Sequence, residues 1–179
     1  MNQKSTILNS LNDTVNQFNT FIENLNQVEF EVNPNHKWSA GQDLVHLIKL
    51  LRILNIAYSL PKYLLKVLYG SNTKATRSFD QLKLQYKTAL AGGAKSPALY
   101  LPKPVVFDAK ENLIKKHQAL NQNFIDKINK LSEADLDTIQ LPHPILGKVT
   151  LGEMAFFTSF HTEHHYELLQ SKLNHLIRK

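Results

Sequence analysis

Residues 150–172 read TLGEMAFFTSFHTEHHYELLQSK, and the spacing inside that stretch decides the fold class. Met154, Phe157, His161, His165, Leu168 and Lys172 recur at steps of three and four, which is one face of an α-helix. Thr150 and Glu153 stand in the relation of a capping box, so the helix is read as starting at Thr150. Three further stretches share the period. Ile7, Leu8, Leu11, Val15, Phe18, Ile22 and Leu25 predict a helix over 4–27, broken by Asn33-Pro34-Asn35. A second opens at Ser39, with Gln42 as capping partner, and presents His46, Leu50, Ile53, Ala57 and Leu60. Pro61 ends or kinks it, with Lys62 to Tyr69 as a short continuation. A third starts at Asp108, with Glu111 three residues on, and presents Leu113, His117, Leu120, Phe124, Ile128 and Leu131.

The stretches between helices read differently. Residues 70–106 contain Gly70, Gly92-Gly93, Pro97, Pro102 and Pro104, and only Gln81 to Leu90 has a helical pattern. That is a long crossover. Residues 132–148 read as a connection ending in His143-Pro144-Ile145-Leu146-Gly147. With no internal repeat and no strand alternation of useful length, the expected fold is all-α. It is an antiparallel four-helix bundle with a long crossover between helices two and three, one domain over 1–179.

Composition narrows the chemistry. With 179 residues, 42% of them hydrophobic, the chain can bury a core. It has no cysteine, which excludes disulfides, cysteine nucleophiles, iron–sulfur clusters and thiolate zinc sites. A metal would be held by histidine, carboxylate or backbone oxygen. The start, MNQKSTILNS, lacks the apolar core of a secretory signal. The most apolar stretch, 44–60, is interrupted by His46, Lys49 and Arg52 and falls short of the roughly 20 apolar residues of a span. The expectation is a cytoplasmic protein without a membrane partner. Net charge is +6, and Lys62 to Lys103 holds eight basic residues against Asp80 alone. Without a helix-turn-helix signature or a stacking platform, that excess reads as a solvated crossover rather than a nucleic-acid surface.

The eight histidines carry the chemical information. His161 and His165 are four apart, about 40° around the helix, so both imidazoles leave one face. Met154 and Phe157 share that face, so the pair points inward. His46 lies on the apolar face of helix two and, alone, would be an ordinary core histidine. Together the three form a candidate metal site, with a fourth position left for water or substrate. His117 is either a bundle histidine or a fourth ligand or proton shuttle. His164 is expected to face a neighbouring helix or the rim, as a substitute ligand or outer group. His143 is a turn residue, and His36 and His175 are surface residues. Asp43 either accepts an imidazole N–H or sits in the first turn for the helix dipole. Asp43, His117 and His164 are the candidate catalytic residues. No carboxylate is placed like the Glu of HExxH, and neither a nucleophile elbow nor a nucleotide-binding glycine pattern is present.

Three segments resemble the DinB-like (YfiT-like) metal-binding proteins: Trp38-Ser39-Ala40-Gly41-Gln42-Asp43-Leu44-Val45-His46, His143-Pro144-Ile145-Leu146-Gly147-Lys148-Val149-Thr150, and His161-Thr162-Glu163-His164-His165. The resemblance implies a divalent ion, commonly zinc or nickel, on His46, His161 and His165. It also implies a homodimer and a small-molecule substrate. Better-understood relatives are thiol-dependent transferases and isomerases using low-molecular-weight thiols; others are labelled metal-dependent hydrolases. Members of this branch often have Gln three residues after the last ligand, where this chain has Leu168. A metal-dependent hydrolase or thiol-dependent transferase is therefore one expectation. A non-catalytic bundle or interaction module with a structural or vestigial metal is the other.

Overall fold

All four periodic stretches are helical in the computed structural model, which describes residues 3–33 and 37–177, the side chains of 175–177 excepted. The chain runs α1 (Gln3–Glu23), α2 (Gln27–Glu31), α3 (Ala40–Ala57), α4 (Lys62–Tyr69), α5 (Phe79–Ala91), α6 (Lys110–Asn129), α7 (Glu133–Thr138), β1 (Gln140–His143), β2 (Gly147–Thr150) and α8 (Leu151–Ile177). Pro34 and Asn35 of the expected break, and the side chains of His36 and His175, lie outside the described residues.

The structure corrects the expected elements in four places. The helix expected over 4–27 ends at Glu23, because Asn26 starts a new one. Asn26 accepts from the Glu29 amide while Glu29 accepts from the Asn26 amide, and this short α2 inserts the fully buried Phe30. The third long helix opens at Lys110, after a 3₁₀ turn at Phe107–Ala109, with no side-chain cap. Glu111 pairs with Lys115 instead of capping. The chain is mostly helical rather than all-α: β1 and β2 form an antiparallel hairpin pairing Gln140 with Thr150 and His143 with Gly147. Its strands are too short to show alternation, and Gly147 supplies the positive φ of +72° in the turn. Finally, Leu50, Ile53, Ala57 and Leu60 are only half-buried, whereas Leu44, Leu47 and Leu51 are buried. Helix α3 is apolar on two sides. Leu44 packs into the core, Leu50, Ile53 and Ala57 line a cavity, and Leu47 and Leu51 lie between and touch both.

Helix α1 packs against α6 and α8, and α3 packs against α6 and, more lightly, α8. One group of buried side chains joins Ile7, Leu11, Phe124, Ile128, Leu151 and Phe160. A second joins Phe18, Ile22, Phe30, Leu44 and Leu169. Gly41 is required where α2 crosses the start of α3, since a Cβ there would lie 2.7 Å from the Phe30 ring. The Tyr58 hydroxyl donates to the Leu151 carbonyl at 2.5 Å, while His46, twelve residues earlier, meets His161. Helices α3 and α8 therefore run in opposite senses past one another.

The crossover is tied down by charge. Arg77 donates to both Glu153 carboxylate oxygens and to the Leu146 and Lys148 carbonyls. Lys83 pairs with Glu163 and Lys62 with Asp135. Part of the basic excess is thus neutralised within the fold. Among the described residues no single helix is long and apolar enough to cross a membrane.

Candidate metal centre

Local sequence aims the three histidines. Ser39 accepts from the Gln42 amide, and Gln42 returns a bond to the Ser39 amide, which fixes the start of α3. His46 follows on the second turn. On α8, Thr150 and Glu153 form the expected capping box, and His161 and His165 follow one turn apart. All three rings are buried.

One ligand atom from each histidine lies within 4.8 Å of the other two. His46 Nε2 is 3.1 Å from His161 Nε2, and His165 Nε2 is 3.2 Å from it. The opposite ring nitrogens explain this orientation. His46 Nδ1 lies 3.0 Å from the Tyr100 carbonyl, which can only accept, so Nδ1 carries the proton. His165 Nδ1 lies 2.9 Å from Asp43 Oδ1 and donates to it likewise. In the neutral rings both Nε2 atoms then present lone pairs toward His161 Nε2. A single proton on His161 Nε2 serves one of these lone pairs well and leaves the other facing a nitrogen. A cation satisfies all three. Two nitrogens held tetrahedrally at about 2.0–2.1 Å from zinc sit about 3.3 Å apart, close to the spacing found. The three histidines could hold a metal ion on geometry and donor chemistry alike.

The electrostatics agree with neutral imidazoles. Burial, with a contribution from His165, pushes His46 down to about 4. Burial first, and then the neighbouring histidines, hold His161 well below the usual histidine range. Neutral imidazole is the ligand form.

The other candidates separate. Asp43 belongs to the cluster: Oδ1 accepts from His165, and Oδ2 accepts from Lys172 Nζ at 2.6 Å. Lys172 also donates to the Trp38 carbonyl. His164 lies at the rim, its ring centre 5.9 Å from that of His165, and burial lowers it to about 4. His117 is not brought to the site. Its Nδ1 is 2.7 Å from Asn19 Oδ1, in the core between α1 and α6, and burial lowers it to about 3. Its place on the core face of α6 turns it toward α1, which packs there, rather than toward α8. His143 is the expected turn residue, accepting from the Ile145 and Leu146 amides, but its ring also packs on Phe157 at 4.4 Å. Gln170 bonds the Tyr166 hydroxyl, while Leu168 lines the cavity.

A family model for the DinB superfamily matches residues 10–169. The chain belongs to the DinB superfamily. No curated protein and no solved structure matches it.

Within this DinB chain the crossover supplies site residues that the spacing of the long helices did not point to. Tyr100 holds His46 through its carbonyl, and the Tyr86 hydroxyl lies 3.4 Å from His161 Nδ1. Burial pushes Tyr86 up to about 12, so it stays protonated. Trp38 stacks parallel to His165. The aromatic character of Trp38, Tyr86 and Tyr100 was visible in the sequence; Trp38 comes in with the start of α3, but the arrival of Tyr86 and Tyr100 depends on how the crossover folds back. A cavity of about 950 Å³ opens beside the cluster, lined by residues of α3, α8, the crossover and the hairpin.

Proposed function

We propose that this protein is a metal-dependent enzyme acting on a small molecule. In this reading His46, His161 and His165 hold a divalent ion, zinc or nickel. The observation that carries it is the convergence of three Nε2 atoms at the wall of a large cavity. A bound ion would supply Lewis acidity to water or a thiol in the remaining position. The protein's own groups do the rest. Asp43 orients His165 and offsets positive charge, the Tyr100 carbonyl orients His46, and the Tyr86 hydroxyl stands beside His161. His164 is the candidate proton carrier at the rim. Hydrolysis and transfer of a low-molecular-weight thiol both fit this arrangement.

The accompanying architecture is an antiparallel four-helix bundle of α1, α3, α6 and α8, a single domain over 1–179, with the crossover between α3 and α6. A homodimer belongs to the same reading. It is supported by exposed Tyr63 and Val67, one turn apart on α4, and light scattering tests it.

The decisive experiment is metal stoichiometry. Protein purified without chelators and reconstituted with zinc or nickel is expected to hold one ion per chain, and His161→Ala is expected to lose it. Wild-type protein that stays empty after reconstitution overturns the reading.

A further inference from the structure

The cavity has a direction. At one end are the three histidines, Asp43, and the Lys172 that pairs with it. Away from that end the wall contributed by α3 is the buried Leu47 and Leu51 with the half-buried Leu50, Ile53, Leu54 and Ala57, none carrying a polar side-chain atom. Met154 and Phe157 face them from α8, and Leu141 and Ile145 from the hairpin. Since the two helices run in opposite senses, Ala57 lies toward the Met154 end and His46 toward the His161 end. The step from His46 to Ala57 is eleven residues, about 16 Å of helix at ~1.5 Å per residue. The cavity is therefore a trough with a polar, nitrogen-rich head and a long, mainly apolar body in which Tyr69, His143 and Thr158 also take part.

A half-buried row of leucine and isoleucine on α3 is more than a site for a compact polar molecule needs. The core already takes the other side of that helix through Leu44 and Ile48, which are buried and do not line the cavity. An extended apolar ligand would cover this row and gain the hydrophobic term that the fold leaves unused. Among the described residues the only carboxylate in the lining is Asp43, and it is taken up by His165 and Lys172. An ionisable or anionic head therefore meets no free negative charge there.

We infer that the substrate is an amphiphile: a metal-binding head seated at the histidines and an extended alkyl-like body lying along Leu50, Ile53, Leu54 and Ala57. The head's place rests on the metal reading above; the body's place rests on the trough alone.

The test is a chain-length series of linear alkylhydroxamic acids, from two to ten carbons, titrated calorimetrically into zinc-reconstituted and chelator-treated protein. Affinity is expected to rise about two- to fourfold per methylene in both samples. At about 1.2 Å per bond of extended chain, the gain should persist to the end of the series. Zinc is expected to add a constant increment at every length. Leu50→Trp, one turn from His46, should halt the gain at short chains, and Ala57→Trp only at the longest. A series flat with length overturns the amphiphile inference whether or not zinc shifts it. A sloped series without a zinc increment supports the trough and overturns the metal reading.

Discussion

At the scale of single residues, the informative group is Asp43. Its carboxylate bridges His165 Nδ1 and Lys172 Nζ, both largely buried, so one oxygen accepts a ring N–H and the other meets a cation. An outer carboxylate fixes the tautomer and raises the basicity of a ligand histidine, and removing one commonly costs 10–100-fold in metal affinity. Asp43→Ala is therefore expected to weaken zinc binding by about 10–100-fold in competition with a chromophoric chelator. Lys172→Met leaves the His165 contact intact and should weaken it by less than about tenfold. Equal losses in both variants would show that Asp43 acts through the buried ion pair and not through His165. The histidine triad was legible because a period of 3.6 places His161 and His165 on one face and His46 on a face of its own helix. The outcome for Asp43 was not decidable there. A first-turn carboxylate serves a helix dipole as well as a ring nitrogen, and only the approach of α8 separates the two.

At the scale of elements, the long helices were legible and the short ones were not. Helices α3 and α8 carry Ser39-to-Gln42 and Thr150-to-Glu153 caps followed by many turns of apolar periodicity. Helix α2 has five residues and the hairpin strands four, too few for a period to show. What forms them is a cap at Asn26, a positive-φ Gly147, and burial of Phe30 and Val149 against the rest of the molecule. The crossover's shape also depends on tertiary contacts, chiefly Arg77. Glu153 is 4% exposed, and Arg77 reaches it with both side-chain and backbone donors. Those bonds outweigh burial and hold the Glu153 carboxyl below the usual range. Arg77→Met leaves that carboxylate short of its cation and releases the crossover from the hairpin. About 2 kcal/mol of stability should be lost, with faster hydrogen exchange in α5. A variant with wild-type exchange in α5 would mean that the crossover is held by its apolar contacts, such as Leu82 and Tyr86, and not by this charge.

At the scale of the whole molecule, the fold buries histidines as neutral rings. Burial lowers His117 to about 3, and His46, His143 and His164 to about 4. In the unfolded chain each returns to about 6.5. Between pH 4 and 6.5 the unfolded chain therefore binds protons that the folded chain refuses. Stability is fully present above about pH 6.5 and is lost as the pH falls through that window. Depressed carboxylates such as Glu153 and Asp135 act in the same direction, but only below the ordinary carboxylate range, so the upper part of the window belongs to the histidines. His117 is the cleanest member, being fully buried between α1 and α6 and outside the candidate metal cluster. Each proton kept out corresponds to about 1.4 kcal/mol per pH unit. Urea unfolding with chelator present, which removes any contribution from metal release, should show stability falling from pH 6.5 to 5. His117→Leu should reduce that slope by about one proton, at the cost of leaving Asn19 Oδ1 without its partner. Stability that is level across this range would mean that the buried rings take up protons while folded. Their neutrality would then not be a property the fold imposes, and the neutral ligand form at His46 and His161 would have to be induced by the metal itself.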